Sequence, residues 1–61
     1  MNNYELQEIC PETGKIEILA DADAESAWEA QPMLLQRAGI SSPHRHPGRL
    51  EIAWDNGRVR V

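Results

Sequence analysis

At 61 residues the chain lies near the lower size at which a protein folds without a disulfide, a metal or a partner, which excludes the large enzyme folds. An apolar fraction of 41% and a charged fraction of 26% argue against wholesale disorder, but Phe is absent. Tyr4, Trp28 and Trp54 are the only aromatic residues, so the two indoles are expected to supply much of the core.

Tyr4 to Cys10 alternates only in part, because Glu8 interrupts the run before Ile9, and a strand with a bulge near Glu8 accounts for this. Pro11-Glu12-Thr13-Gly14 reads as a turn, with Pro pre-set for an early position and Gly free to take positive φ. Lys15 to Ala20 is then a second strand with Ile16 and Ile18 on one face, and the first twenty residues form a β-hairpin.

Asp21 or Asp23 suits a helix N-cap, Glu25 adds negative charge to the first turn, and Ala24, Ala27 and Trp28 recur at helical spacing. The helix is expected over residues 23 to 38, kinked or broken at Pro32, whose ring clashes with the carbonyl of Trp28. Gly39 is placed to end it in the left-handed conformation, with Ile40 making the accompanying apolar contact.

Ser41 to Gly48, with Pro43 and Pro47 flanking His44-Arg45-His46, has no apolar periodicity and reads as a loop. Arg49 to Val61 reads as a second hairpin turning at Asn56-Gly57, the preferred pair for a type I′ turn. That register sets Asp55 opposite Arg58 and Trp54 opposite Val59. Leu50, Ile52, Trp54, Val59 and Val61 fall on one face and Arg49, Glu51, Asp55, Arg58 and Arg60 on the other.

The expected fold is a small α+β domain of order β-β-α-β-β spanning residues 1 to 61, two antiparallel hairpins with the helix packed on the sheet. Besides the apolar residues of the two hairpins, its core is expected to hold Ala27, Trp28, Leu34, Leu35 and Ile40. So small a core leaves little stability to spare, which makes a homodimer through an edge strand plausible.

Charge is segregated along the chain. Residues 1 to 30 hold eight acids against Lys15, and residues 31 to 61 hold five arginines against Glu51 and Asp55, so the net −4 divides into −7 and +3. Packing of the two halves against each other would neutralise them across the fold. Cys10 is the only cysteine, which removes any intramolecular disulfide and fits a reducing cytoplasm. No window approaches a membrane span, and the N-terminus lacks the basic and apolar regions of a signal peptide.

No catalytic, metal or cofactor constellation is assigned. Two His separated by Arg45 in a Pro-flanked loop, with Cys10 elsewhere, fall short of the four ligands of a structural zinc. Ser41 and Ser42 lie close to His44 without a strand-to-helix elbow. Thr13-Gly14-Lys15 lacks the upstream glycine and following hydroxyl of a phosphate loop. The acids Asp21, Asp23, Glu25 and Glu29 read as helix-start electrostatics and solvated surface, and only secondarily as a mimic of nucleic acid.

The expected function is therefore non-enzymatic. The chain reads as a protein interaction module, a small regulator or inhibitor that binds a partner protein through Arg45, Arg49, Arg58 and Arg60 or through an exposed sheet edge. The alternative is nucleic-acid binding by the same arginine-bearing hairpin, against which stand the acidic total and the lack of aromatics for stacking.

Overall fold

The computed structural model describes residues 1–61. It contains β1 (Asn2–Ile9), β2 (Ile16–Ala24), α1 (Ala27–Ala38), a one-turn 3-10 helix (Pro43–Arg45), β3 (Arg49–Trp54) and β4 (Gly57–Arg60). The strands form one antiparallel sheet in the order β2-β1-β3-β4, the expected α+β arrangement of two hairpins and a helix. The two hairpins join through β1 and β3, so β2 and β4 are the edges.

The first turn forms as expected. Gly14 takes φ 75°, its N–H donates to the Cys10 carbonyl at 2.8 Å, and the Cys10 N–H donates to the Lys15 carbonyl at 2.9 Å. The bulge lies elsewhere. Leu6 pairs with Ala20 and Gln7 with Ile18, so the extra residue is Leu19 in β2, while β1 itself alternates without interruption against β3. Glu8 breaks the apolar pattern only because it stands at the end of the covered face, where the loop before β3 meets it.

This bulge switches the face that β2 presents. Ala20, Ala22 and Ala24 lie with Tyr4 and Leu6 under the helix, whereas Ile16 and Ile18 lie on the opposite, open face. They are 50% and 57% exposed, which corrects their placement in the core. The second strand also runs four residues further than expected, to Ala24. Asp21 and Asp23 are strand residues on the open face, where the Asn3 side-chain amide donates to both carboxylates at 3.2 and 3.1 Å. The N-cap is instead Ser26, whose Oγ accepts the Glu29 N–H at 3.2 Å.

The helix is one unbroken element through Pro32. Gly39 ends it at φ 73°, its N–H donating to Gln36 and the Ile40 N–H donating to Leu35, with Ile40 packed against the core. This is the expected paired closure. The buried face of the helix is Ala30 and Leu34, flanked by Ala27, Leu35 and Ala38. Trp28 is 85% exposed, so it does not anchor the core. The core consists of Tyr4, Leu6, Ala22, Ala24, Ala30, Leu34, Leu50 and Ile52, with Trp54 partly buried and tilted against Tyr4 at a ring separation of 5.2 Å.

The second hairpin keeps its faces and changes its register. Trp54 pairs with Gly57, Ala53 with Arg58, Ile52 with Val59 and Glu51 with Arg60, so Asp55 and Asn56 form the loop. None of Asp55, Asn56 and Gly57 has positive φ, which excludes the type I′ turn. The shift of two residues preserves the apolar side, and it brings Arg58 beside Glu51 and Gln7 instead of Asp55.

Candidate functional site

Of the two faces of the sheet, only the one under α1 is covered. The other is open, and the strand order spreads the charge segregation of the sequence across it. Asp21 and Asp23 stand on the edge strand β2, and Arg58 and Arg60 stand on the opposite edge strand β4. The halves of the chain therefore do not neutralise each other by stacking. The one ion pair between them is His46 Nε2 with Glu8 Oε2, and the other two lie within the basic half.

Glu51 organises the basic side. Its carboxylate accepts from Arg49 Nε at 3.2 Å and from Arg58 Nη1 at 3.0 Å, and it is only 13% exposed while both arginines are about half exposed. Arg58 Nη2 also donates to Gln7 Oε1 at 2.6 Å, and Gln7 Nε2 donates in turn to Glu5 Oε1 at 3.2 Å. The chain Glu5-Gln7-Arg58-Glu51-Arg49 thus crosses three strands and satisfies Gln7, the one buried polar side chain. Two of the four arginines singled out from the sequence are held in this network. Arg60, opposite Glu51, and Arg45, on the 3-10 turn, are exposed and make no ion pair. The structure therefore brings Arg49, Arg58 and Arg60 onto one face and leaves Arg45 on a separate segment.

At the other end of the sheet, the loop 41–48 is fastened to β1. The His46–Glu8 contact is one tie, and Gly48 fits against the Glu8 side chain so closely that a Cβ there would lie 2.6 Å from its Cγ. His46 is thereby committed to Glu8, and no group of three or more His, Cys, Asp or Glu side chains is clustered to hold a metal ion. A cleft of about 450 Å³ lies beside this tie, lined by Glu8, Cys10, Glu12, Lys15, Glu17 and Gly48. Its size falls within the usual range of ligand pockets. It is a charged surface cleft with one hydrophobic lining residue. The Cys10 thiol at its rim is held below its ordinary pKa, first by the Thr13 hydroxyl and then by the backbone N–H groups of Thr13 and Glu12.

Sequence reasoning missed the exposure of Trp28, the isoleucine pair on the open face and the tie from Arg58 through Gln7 to Glu5. Two signals were available. Ala20-Asp21-Ala22-Asp23-Ala24 alternates with the strand period of two, and Ser26-Ala27-Trp28-Glu29 has the spacing of a capping box.

No family model matches the chain, no curated protein matches it, and no solved structure matches its fold. No helix is long and apolar enough to cross a membrane.

Proposed function

We propose that the chain is a non-enzymatic module that binds a partner protein through the open face of its sheet. The observation that carries this reading is the composition of that face. Ile16 and Ile18 lie half exposed along the edge strand β2, next to Ile9, and arginines stand on β3 and β4. An apolar strip bordered by charge of both signs is the pattern of an interface with a dry centre and a polar rim. Arg60 and Arg45 are the cations free to engage an acidic group on the partner, while Arg49 and Arg58 are ordered by Glu51 and supply shape. A reducing cytoplasm is part of the reading, since the one cysteine is partly exposed and unpaired.

The test is capture from lysate by the immobilised chain, with and without nuclease and at two salt concentrations. The expected result is a defined protein that survives nuclease, persists in moderate salt and is lost from Ile18→Asp. Recovery of nucleic acid alone, falling steeply and log-linearly with salt and abolished by Arg58→Ala with Arg60→Ala, overturns the reading in favour of phosphate contacts.

A further inference from the structure

A second cleft, of about 230 Å³, opens where the loop before β3 lies beside the last residues of β4. Its whole lining comes from the half of the chain that carries a net charge of +3, and no acidic side chain is part of it. His44 and His46 contribute from the loop, Arg49 from the start of β3 and Arg60 from the end of β4. The pairing of the last hairpin and the fastening of the loop to β1 bring these separate segments together.

Two of the four basic groups are partnered and two are not. His46 is tied to Glu8, and Arg49 is paired through Nε with Glu51. Arg60 stands opposite Glu51 in the ladder, but Arg49 and Arg58 already hold that carboxylate, and the Arg60 guanidinium lines the cleft without an ion pair. The His44 side chain has no hydrogen-bond partner either. The two acids adjoining the site are thus engaged by other basic groups, and the donors left over line one small cavity. Two arginines and an imidazole supplied from three segments suit an anion with several oxygens and more than one charge. A single carboxylate would satisfy one guanidinium fork and leave the remaining donors idle.

We propose that this cleft binds a phosphate monoester. Arg60 and Arg49 take phosphoryl oxygens, and His44 donates to another. A monoester carries close to two negative charges at neutral pH, which matches the two arginines, whereas a phosphodiester of a nucleic-acid backbone carries one. The cavity is larger than a phosphoryl group, so the ester carbon has room against Pro43 and Val61. The same chemistry is presented by a free small-molecule ester and by a phosphorylated side chain. The site lies apart from the isoleucine strip on β2, so it does not depend on the partner-binding reading.

Amide spectra of the nitrogen-15-labelled chain, titrated with inorganic phosphate, O-phosphoserine and a phosphoserine peptide at constant ionic strength held with chloride, test the proposal. The expected result is saturable shifts confined to residues 43 to 50 and 60 to 61. Arg60→Gln raises the dissociation constant at least about tenfold, as loss of a charge-assisted hydrogen bond does, and His44→Asn raises it about threefold. Both side chains are exposed and unpartnered, and the same spectra show that each variant keeps its fold. Lys15→Gln removes an equal charge outside the cleft and leaves the affinity within about twofold. A peptide that binds more tightly than O-phosphoserine supports the site with a phosphorylated side chain as its ligand, and equal affinities support it with the free ester. Ile18→Asp abolishes partner capture and keeps phosphate binding, so the two readings fail separately. Spectra unchanged by phosphate and O-phosphoserine overturn the proposal. So do shifts that grow without saturating, a loss of affinity as large in Lys15→Gln as in Arg60→Gln, or binding of single-stranded nucleic acid with no response to the monoesters.

Discussion

Under the helix the edge strand β2 contributes only alanines, whereas over β3 and β4 the same face carries large side chains and no helix. In the first region Ala20, Ala22 and Ala24 meet Ala27, Ala30 and Ala38, and each buried residue removes little apolar area from water. What it gains is close approach of two backbones. In the second region Leu50, Ile52 and Trp54 supply height in place of a helix, and the indole leans back on Tyr4. The difference shows that burial in so small a chain is concentrated in a few side chains. Leu6, Leu34 and Ile52 are the largest that are fully buried, and together they join the regions.

Opposite substitutions should therefore damage the two regions. Ile52→Ala in the large-residue region is expected to cost about 2 to 5 kcal/mol, a large part of the total stability of a small domain. In the small-residue region the damaging change is enlargement. Ala30→Leu, forced between helix and sheet, is expected to cost about 1 to 3 kcal/mol through displacement of the backbone. Trp54→Ala, at a partly buried site, falls between these at roughly 2 kcal/mol. Urea unfolding of the three variants with unchanged m-values measures the order, and an Ala30→Leu variant as stable as the parent would show that the roof is not tightly packed.

The contrast explains which parts of the fold were legible. The hairpins and the helix stop at Gly39 announce themselves through local chemistry, because turns and caps depend on residues adjacent in sequence. The bulge at Leu19 does not, since it answers to pairing with β1. Asp21 and Asp23 have the chemistry of caps, but their alternation with alanine obeys the strand period, and pairing with β1 decides between the two. The exposure of Trp28 was hidden for a different reason. Helical spacing fixes which residues share a flank, and only the position of the helix on β2 and β1 decides which flank is left in water. Of the arginines, sequence identified a common face correctly, but the low exposure of Glu51 that pairs two of them depends on β1 lying next to β3.

Glycines sharpen the comparison between the two ends of β3. Gly48, before the strand, is pressed against Glu8, so Gly48→Ala is expected to cost about 1 to 3 kcal/mol and to loosen the loop that His46 fastens. Gly57, after it, has ordinary φ and its nearest neighbour to a new Cβ is Trp54 at 3.7 Å, so Gly57→Ala is expected to change stability by less than about 0.5 kcal/mol. Backbone amide exchange localises the first effect. Protection should fall across residues 41 to 48 and stay unchanged in the helix.

The open face offers a milder probe. Replacing Glu51 by Ala releases Arg49 and Arg58 at once, but both guanidiniums are about half exposed, so solvent screening limits the stability loss to about 1 kcal/mol. The informative readout is the Arg58 side chain, whose Nε–H resonance should lose its dispersion while the contact with Gln7 weakens. An unchanged Arg58 signal would mean that Gln7 alone holds it.

The smallest effect concerns Cys10, at the turn of the acidic hairpin. Its thiol lies below the ordinary cysteine value because the Thr13 hydroxyl and the amides of Thr13 and Glu12 stabilise the thiolate, against the repulsion of Glu8. The folded value being the lower one, the thiolate stabilises the fold at pH above the unfolded value and ceases to do so as pH falls through the folded value. The site is open to solvent, so the consequence is kinetic. Iodoacetamide should alkylate native Cys10 with a half-maximal rate at lower pH than it alkylates the urea-unfolded chain. Thr13→Ser, which keeps a hydroxyl, should preserve that displacement, and Thr13→Val should remove most of it, because the hydroxyl is the largest contributor. Glu8→Gln should move the profile slightly further toward low pH by removing the opposing charge. A Thr13→Val profile superimposed on that of the parent would assign the shift to the backbone amides alone.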